Sequence, residues 1–124
     1  MLNQYAAVTV LVASDLERAR KFYTEALGLT PIDGPAGMAI FEAGNGTRIG
    51  IYQKEGGSKA VHTVMAFTVN DLEAELAELK AKGVQQDMND LPESADENGI
   101  VTYGTVKSAW INDSEGNIIA INQM

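Results

Sequence analysis

Twice in 124 residues a short apolar run meets an aspartate and passes straight into a helical pattern that a glycine ends. The first copy is VTVLVA from Val8 to Ala13, then Ser14 and Asp15, then LERARKFYTEALG closing at Gly28. Leu16, Ala19, Phe22, Tyr23, Ala26 and Leu27 recur at three- and four-residue spacing, while the charged residues take the other face. The second copy runs from Met65 to Val69, through Asn70 and Asp71, into LEAELAELKAKG, with Leu72, Leu76 and Leu79 on one stripe and Gly83 as the stop. Aspartate before an apolar-periodic stretch is a helix N-cap signal, and glycine after it is a C-cap signal. Placing Asp15 on Asp71 sets an offset of 56 residues, so the chain is read as a tandem repeat of one supersecondary unit.

Past each helix the chain turns extended. In the first half these segments are Thr30 to Ile32, Gly37 to Glu42 and Arg48 to Gln53, with Asn45–Gly46 as a hairpin turn. In the second they are Val84 to Met88, Tyr103 to Ile111 and Asn117 to Gln123, the last two joined by DSEG. Each half reads βαβββ, which predicts an α+β fold of two modules, about 5–57 and about 60–124, in a single domain. The polar stretch Asn89 to Gly99 is either a loop over a site or a surface excursion.

Composition narrows the function classes. Apolar residues make up 45% of the chain and charged residues 21%, enough for a real core. A formal charge of −8 repels phosphate backbones and anionic headgroups, so neither nucleic acid nor a membrane is an expected partner. Cysteine is absent, which removes disulfides, thiolate metal sites and cysteine nucleophiles, and accords with a cytoplasmic protein. No G-x-S-x-G, G-x-G-x-x-G or Walker loop occurs, so nucleotide cofactors have no support. Asp15, Asp71 and Asp113 are accounted for by caps and turns.

VLVASDLERARKFYTEALGL, AFTVNDLEAELAELKAKGV and DSEGNIIAI together resemble the vicinal oxygen chelate superfamily, which includes glyoxalase I, extradiol dioxygenases, and fosfomycin- and bleomycin-resistance proteins. DSEGN stands where that family has D-P-D-G-N, with Ser114 in place of proline. The resemblance implies two βαβββ modules with sheets curled around a cleft and helices outside, often in a homodimer. It also implies four metal-ligand positions, which here hold Val8, Gly50, Val64 and Ala120. None has a donor atom for a divalent cation, so no metal and no cofactor is expected.

If those four face the cleft, two-residue alternation adds Val10, Val12, Ala66 and Thr68, then Arg48 and Tyr52, then Ile118 and Asn122. A two- or four-residue hairpin loop after Ala43 would place Ala39 and Phe41 there too, and an odd loop would reverse them. A four-residue DSEG loop would turn Trp110 toward the helix, whereas a bulge would aim it into the cleft; the helix side is expected. On the family pattern Tyr103 and Met88 lie near the mouth. His62, the sole histidine, is the best single metal-ligand candidate and a better candidate as a cleft acid or base. The expected function is binding of a small hydrophobic or cationic molecule without a metal. The alternative is an enzyme: a lyase or isomerase using His62 and Tyr52 as acid or base without a metal, or a lyase, isomerase or dioxygenase-like enzyme using non-standard cleft residues, including one that completes a metal site from unusual residues.

Overall fold

The computed structural model describes residues 1–124. Both aspartates cap as their positions predict: the Asp15 carboxylate accepts from Arg18 N at 3.0 Å and that of Asp71 from Ala74 N at 3.1 Å. They open α1 (Leu16–Lys21) and α2 (Leu72–Ala81). A second acceptor serves each helix. Gln53 Oε1 accepts from Leu16 N at 3.1 Å, and Gln123 Oε1 from Leu72 N at 2.8 Å. Each glutamine is the last residue of its half's final strand, so the repeat includes a long-range hydrogen bond that satisfies an otherwise orphaned helix amide.

The chain divides into two compact units, Met1–Ser58 and Lys59–Met124. In the first, β1 (Thr9–Ala13) runs parallel to β4 (Arg48–Gln53), and β3 (Met38–Glu42) lies antiparallel between β4 and β2 (Thr30–Ile32). After Lys21 the helix widens into a π-turn, Phe22–Ala26, closed by Leu27 N donating to Phe22 O at 3.1 Å. This turn swings Tyr23 under the sheet, where it is buried with Leu11, Ala13, Ile49 and Ile51. Its ring stacks on Phe41, centroids 5.6 Å apart.

Phe41 is 1% exposed, which corrects its expected place on the open face of the sheet. Glu42 pairs with Arg48, and Ala43 N donates to Thr47 O at 2.8 Å, leaving Gly44–Gly46 as a three-residue turn. An odd turn inverts the alternation, so Ala39 and Phe41 pair with Ile51 and Ile49 on the helix side. Met38, Ile40 and Glu42 take the open face instead.

The second unit repeats the frame with β5 (Thr63–Val69) parallel to β9 (Ile118–Gln123), and β8 (Val106–Asn112) antiparallel to β9. Leu72, Ala109, Ile111, Ile119 and Ile121 form its buried side. The expected strand Val84 to Met88 shrinks to β6 (Gln85–Gln86), and the expected strand from Tyr103 to Ile111 is a hairpin of β7 (Val101–Tyr103) and β8. Gly104–Thr105 is its two-residue turn, a Gly-X signal hidden among extended residues. β7 pairs Val106–Ser108 and β6 pairs Ile111–Asn112, so the two share one edge of β8. No helix is long and apolar enough to cross a membrane.

The Asn89–Gly99 segment is fastened at its far end. Asp96 Oδ1 accepts from Asn98 N at 2.8 Å and Ile100 N at 2.9 Å, and Gln86 Nε2 donates to Asn98 O. Gly99 sits there at φ +75, where a Cβ would lie 2.6 Å from both Gln86 Nε2 and Met88 Sδ. Gly99→Ala is therefore expected to cost about 1–2 kcal/mol, read as a lower urea midpoint, through the left-handed backbone and the displaced side chains. A midpoint equal to that of the parent protein would show that the segment is not held in this way.

Candidate functional site

On the open face of the first sheet, register pairs Val10 with Gly50 and Val12 with Tyr52, and places Arg48 opposite Glu42. Val8 precedes β1 and is 47% exposed; Val10 is 53% and Tyr52 41% exposed. Gly50 has no free space above it, since a Cβ there would meet Met38 Cε at 3.1 Å and Ile40 Cδ1 at 3.4 Å. Methionine and isoleucine thus occupy the ground above Gly50, and this face carries Val10 and Val12 beside the polar side chains of Glu42, Arg48 and Tyr52.

The second sheet differs. Lys107 to Asn112 of β8 pair with Gln123 to Ile118 of β9, and Asp113 N donates to Asn117 O at 3.0 Å, so Ser114–Gly116 is again a three-residue turn. Trp110 therefore pairs with Ala120 and shares the open face with Ile118, which corrects its expected helix-side position. Ala66 and Thr68 pair with Ala120 and Asn122 on the same face, while a register shift between Thr63 and Met65 leaves Val64 at an irregular step.

Beside Trp110 lies a recess of about 840 Å³, formed entirely by the second unit. His62 and Thr63 border it where the chain enters β5, and Asp87, Asn112, Tyr103 and Ile118 complete much of the wall. Asn89, Asp90, Leu91 and Pro92 also line it, so the near end of the Asn89–Gly99 segment belongs to the site. Asp87 is positioned by two bonds: its N donates to Trp110 O at 2.8 Å, and its Oδ1 accepts from Asn89 N at 2.9 Å. Half-buried aromatic surface beside a few hydrogen-bonding groups is the composition of a site that holds a small organic molecule.

Of the residues expected from sequence, His62 and Tyr103 come together in this recess. Ala120 and Asn122 lie farther along its sheet face, and Val10, Arg48, Gly50 and Tyr52 gather on the other sheet. Sequence reasoning missed Asp87 and Asn112. Asn112 had a usable signal, since it directly precedes Asp113, whose bond to Asn117 closes the turn that sets the register of Trp110.

A divalent metal does not fit the four positions that the family resemblance implies. Val8, Gly50, Val64 and Ala120 carry no donor atom, and no three His, Cys, Asp or Glu side chains converge. Divalent metals require imidazole, carboxylate or thiolate ligands, so no step of chemistry is assigned to a metal here.

No curated protein matches the sequence. Among solved structures the chain is similar to a glyoxalase family protein from Bacillus anthracis, with 23% identity and TM-score 0.72 over 99% of this chain and 98% of that one. It is also similar to a genomically encoded fosfomycin resistance protein from Listeria monocytogenes, with 14% identity and TM-score 0.71 over 97% and 93% of the two chains. A lactoylglutathione lyase from Agrobacterium tumefaciens has 19% identity and TM-score 0.65 over 95% and 92%. At these identities the likeness is one of fold, here a mixed α+β architecture with two sheets of four and five strands. The sequence profile of the glyoxalase/bleomycin resistance protein/dioxygenase superfamily matches residues 3–121, nearly the whole chain, and the chain belongs to that superfamily.

Proposed function

We propose that this protein binds a small organic molecule, hydrophobic or cationic, in the recess of its second unit and does so without a metal. The observation that carries the proposal is Trp110. A large aromatic side chain is turned out of the core by an odd-length turn and borders a recess that includes hydrogen-bonding groups. Sequestration of a toxic compound is the role that such a site, lacking the family's ligand set, performs most directly.

The test is a small-molecule screen by thermal unfolding. A ligand at one hundred times its dissociation constant stabilises the protein by about 2.7 kcal/mol, a shift of several degrees. Trp110→Ala is expected to abolish the shift while retaining the far-UV circular dichroism of the parent. Stabilisers that act equally on both proteins would place binding elsewhere and refute this assignment.

A second reading has its own support: His62 and Tyr103 border the same recess, so a proton donor and acceptor are available to one bound molecule. A lyase or isomerase would then convert the stabilising compound, and product formation during the same titration separates an enzyme from a sequestering protein.

A further inference from the structure

The charge of the recess is one-sided. Asp87 and Asp90 are the only carboxylates that line it, and no lysine or arginine does. The Asp87 carboxylate is fixed by Asn89 N beside the strand that carries Trp110. Trp110 and Tyr103 supply aromatic surface, whose faces attract cations. Asn112 adds an amide that can donate or accept. A carboxylate- or phosphate-bearing molecule would find no lysine or arginine and would face two carboxylates. The formal charge of −8 on the chain adds a long-range field of the same sign.

From this we infer that the ligand is an organic cation: a flat apolar body that rests against Trp110 and Tyr103, with an ammonium or guanidinium group directed at Asp87 and Asp90. The inference rests on the binding role proposed above and specifies the chemistry of that site. It also assigns distinct parts to the lining, with the aromatics holding the body and the aspartates selecting the charge.

Three probes that share a naphthylmethyl body differ in the charge of the head group: (1-naphthylmethyl)trimethylammonium, 1-naphthylmethanol and the 1-naphthaleneacetate anion, each titrated calorimetrically into the whole protein. The ammonium is expected to bind at least tenfold more tightly than the alcohol, and the acetate more weakly than either. Asp87→Asn should weaken the ammonium about fivefold and the alcohol by a clearly smaller factor. Its amide oxygen can still accept from Asn89 N, so the variant is expected to fold. Asp90→Asn provides an independent check, because asparagine tolerates the φ of +54 found there. Raising the salt concentration should weaken the ammonium alone.

Equal affinity for ammonium and alcohol, or unchanged ammonium affinity in both variants, would overturn the cation assignment while leaving the site intact. Tighter binding of the acetate would do the same. Failure of all three probes to bind the recess at millimolar concentration would overturn the cation assignment, and a ligand of other chemistry found there by the thermal screen would show that the binding role survives it.

Discussion

Phe41→Ala is expected to lower folding stability by about 3–5 kcal/mol, the usual loss for truncating a large buried aromatic side chain. The ring is 1% exposed and stacks on Tyr23, so its removal opens a cavity between the sheet and the π-turn of α1. Phe41→Leu retains most of the volume and should recover much of the loss. Chemical denaturation measures both. The prediction separates two placements of one residue: on the open face of the sheet, alanine would alter ligand affinity and cost under about 1 kcal/mol. A small stability loss would therefore restore the open-face position and disprove the odd turn at Gly44–Gly46.

Asp113→Ala should cost about 3 kcal/mol, because hydrogen bonds to a charged group contribute more than neutral ones and three are lost together. Asp113 Oδ1 accepts from Glu115 N and Asn117 N, both at 2.8 Å, and Oδ2 accepts from Asn117 Nδ2 at 2.8 Å. Asp113 is 7% and Asn117 2% exposed, so water does not readily replace these contacts. Asp113→Asn keeps an oxygen for the two backbone donors and is expected to recover part of the loss. The consequence reaches the site, since this turn sets the register that aims Trp110 outward; ligand affinity should fall along with stability. A variant within about 0.5 kcal/mol of the parent would show that the turn does not depend on the carboxylate.

The repeat, the caps and the helix faces were legible because their signals are local. Asp15 and Asp71 act within three residues, and the apolar stripe of α1 needs only the helical period. Parity across a hairpin is different, because one residue in the turn inverts every side chain on the strand before it. The loop after Ala43 read as two or four residues and DSEG as four, yet both turns contain three residues and end in a glycine of positive φ, Gly46 at 72° and Gly116 at 86°. Three-residue hairpins place glycine at that third position, so the signal was present and the count was one off. The same miscount hid Phe41 in the core and brought out Trp110. Other features depended on tertiary pairing: β6 is two residues long, and Asp87 reaches the recess because its amide bonds to Trp110 O. No periodicity in the sequence encodes that contact.

Trp110 is the only tryptophan, so its indole N–H gives one assignable cross-peak in a nitrogen-correlated proton spectrum. Titrating a stabilising compound into the isotope-labelled protein should move or broaden that peak in proportion to site occupancy, together with the backbone amides of Asp87 and Tyr103. A compound that stabilises the fold while the indole peak stays fixed would contradict the claim that Trp110 borders the binding site.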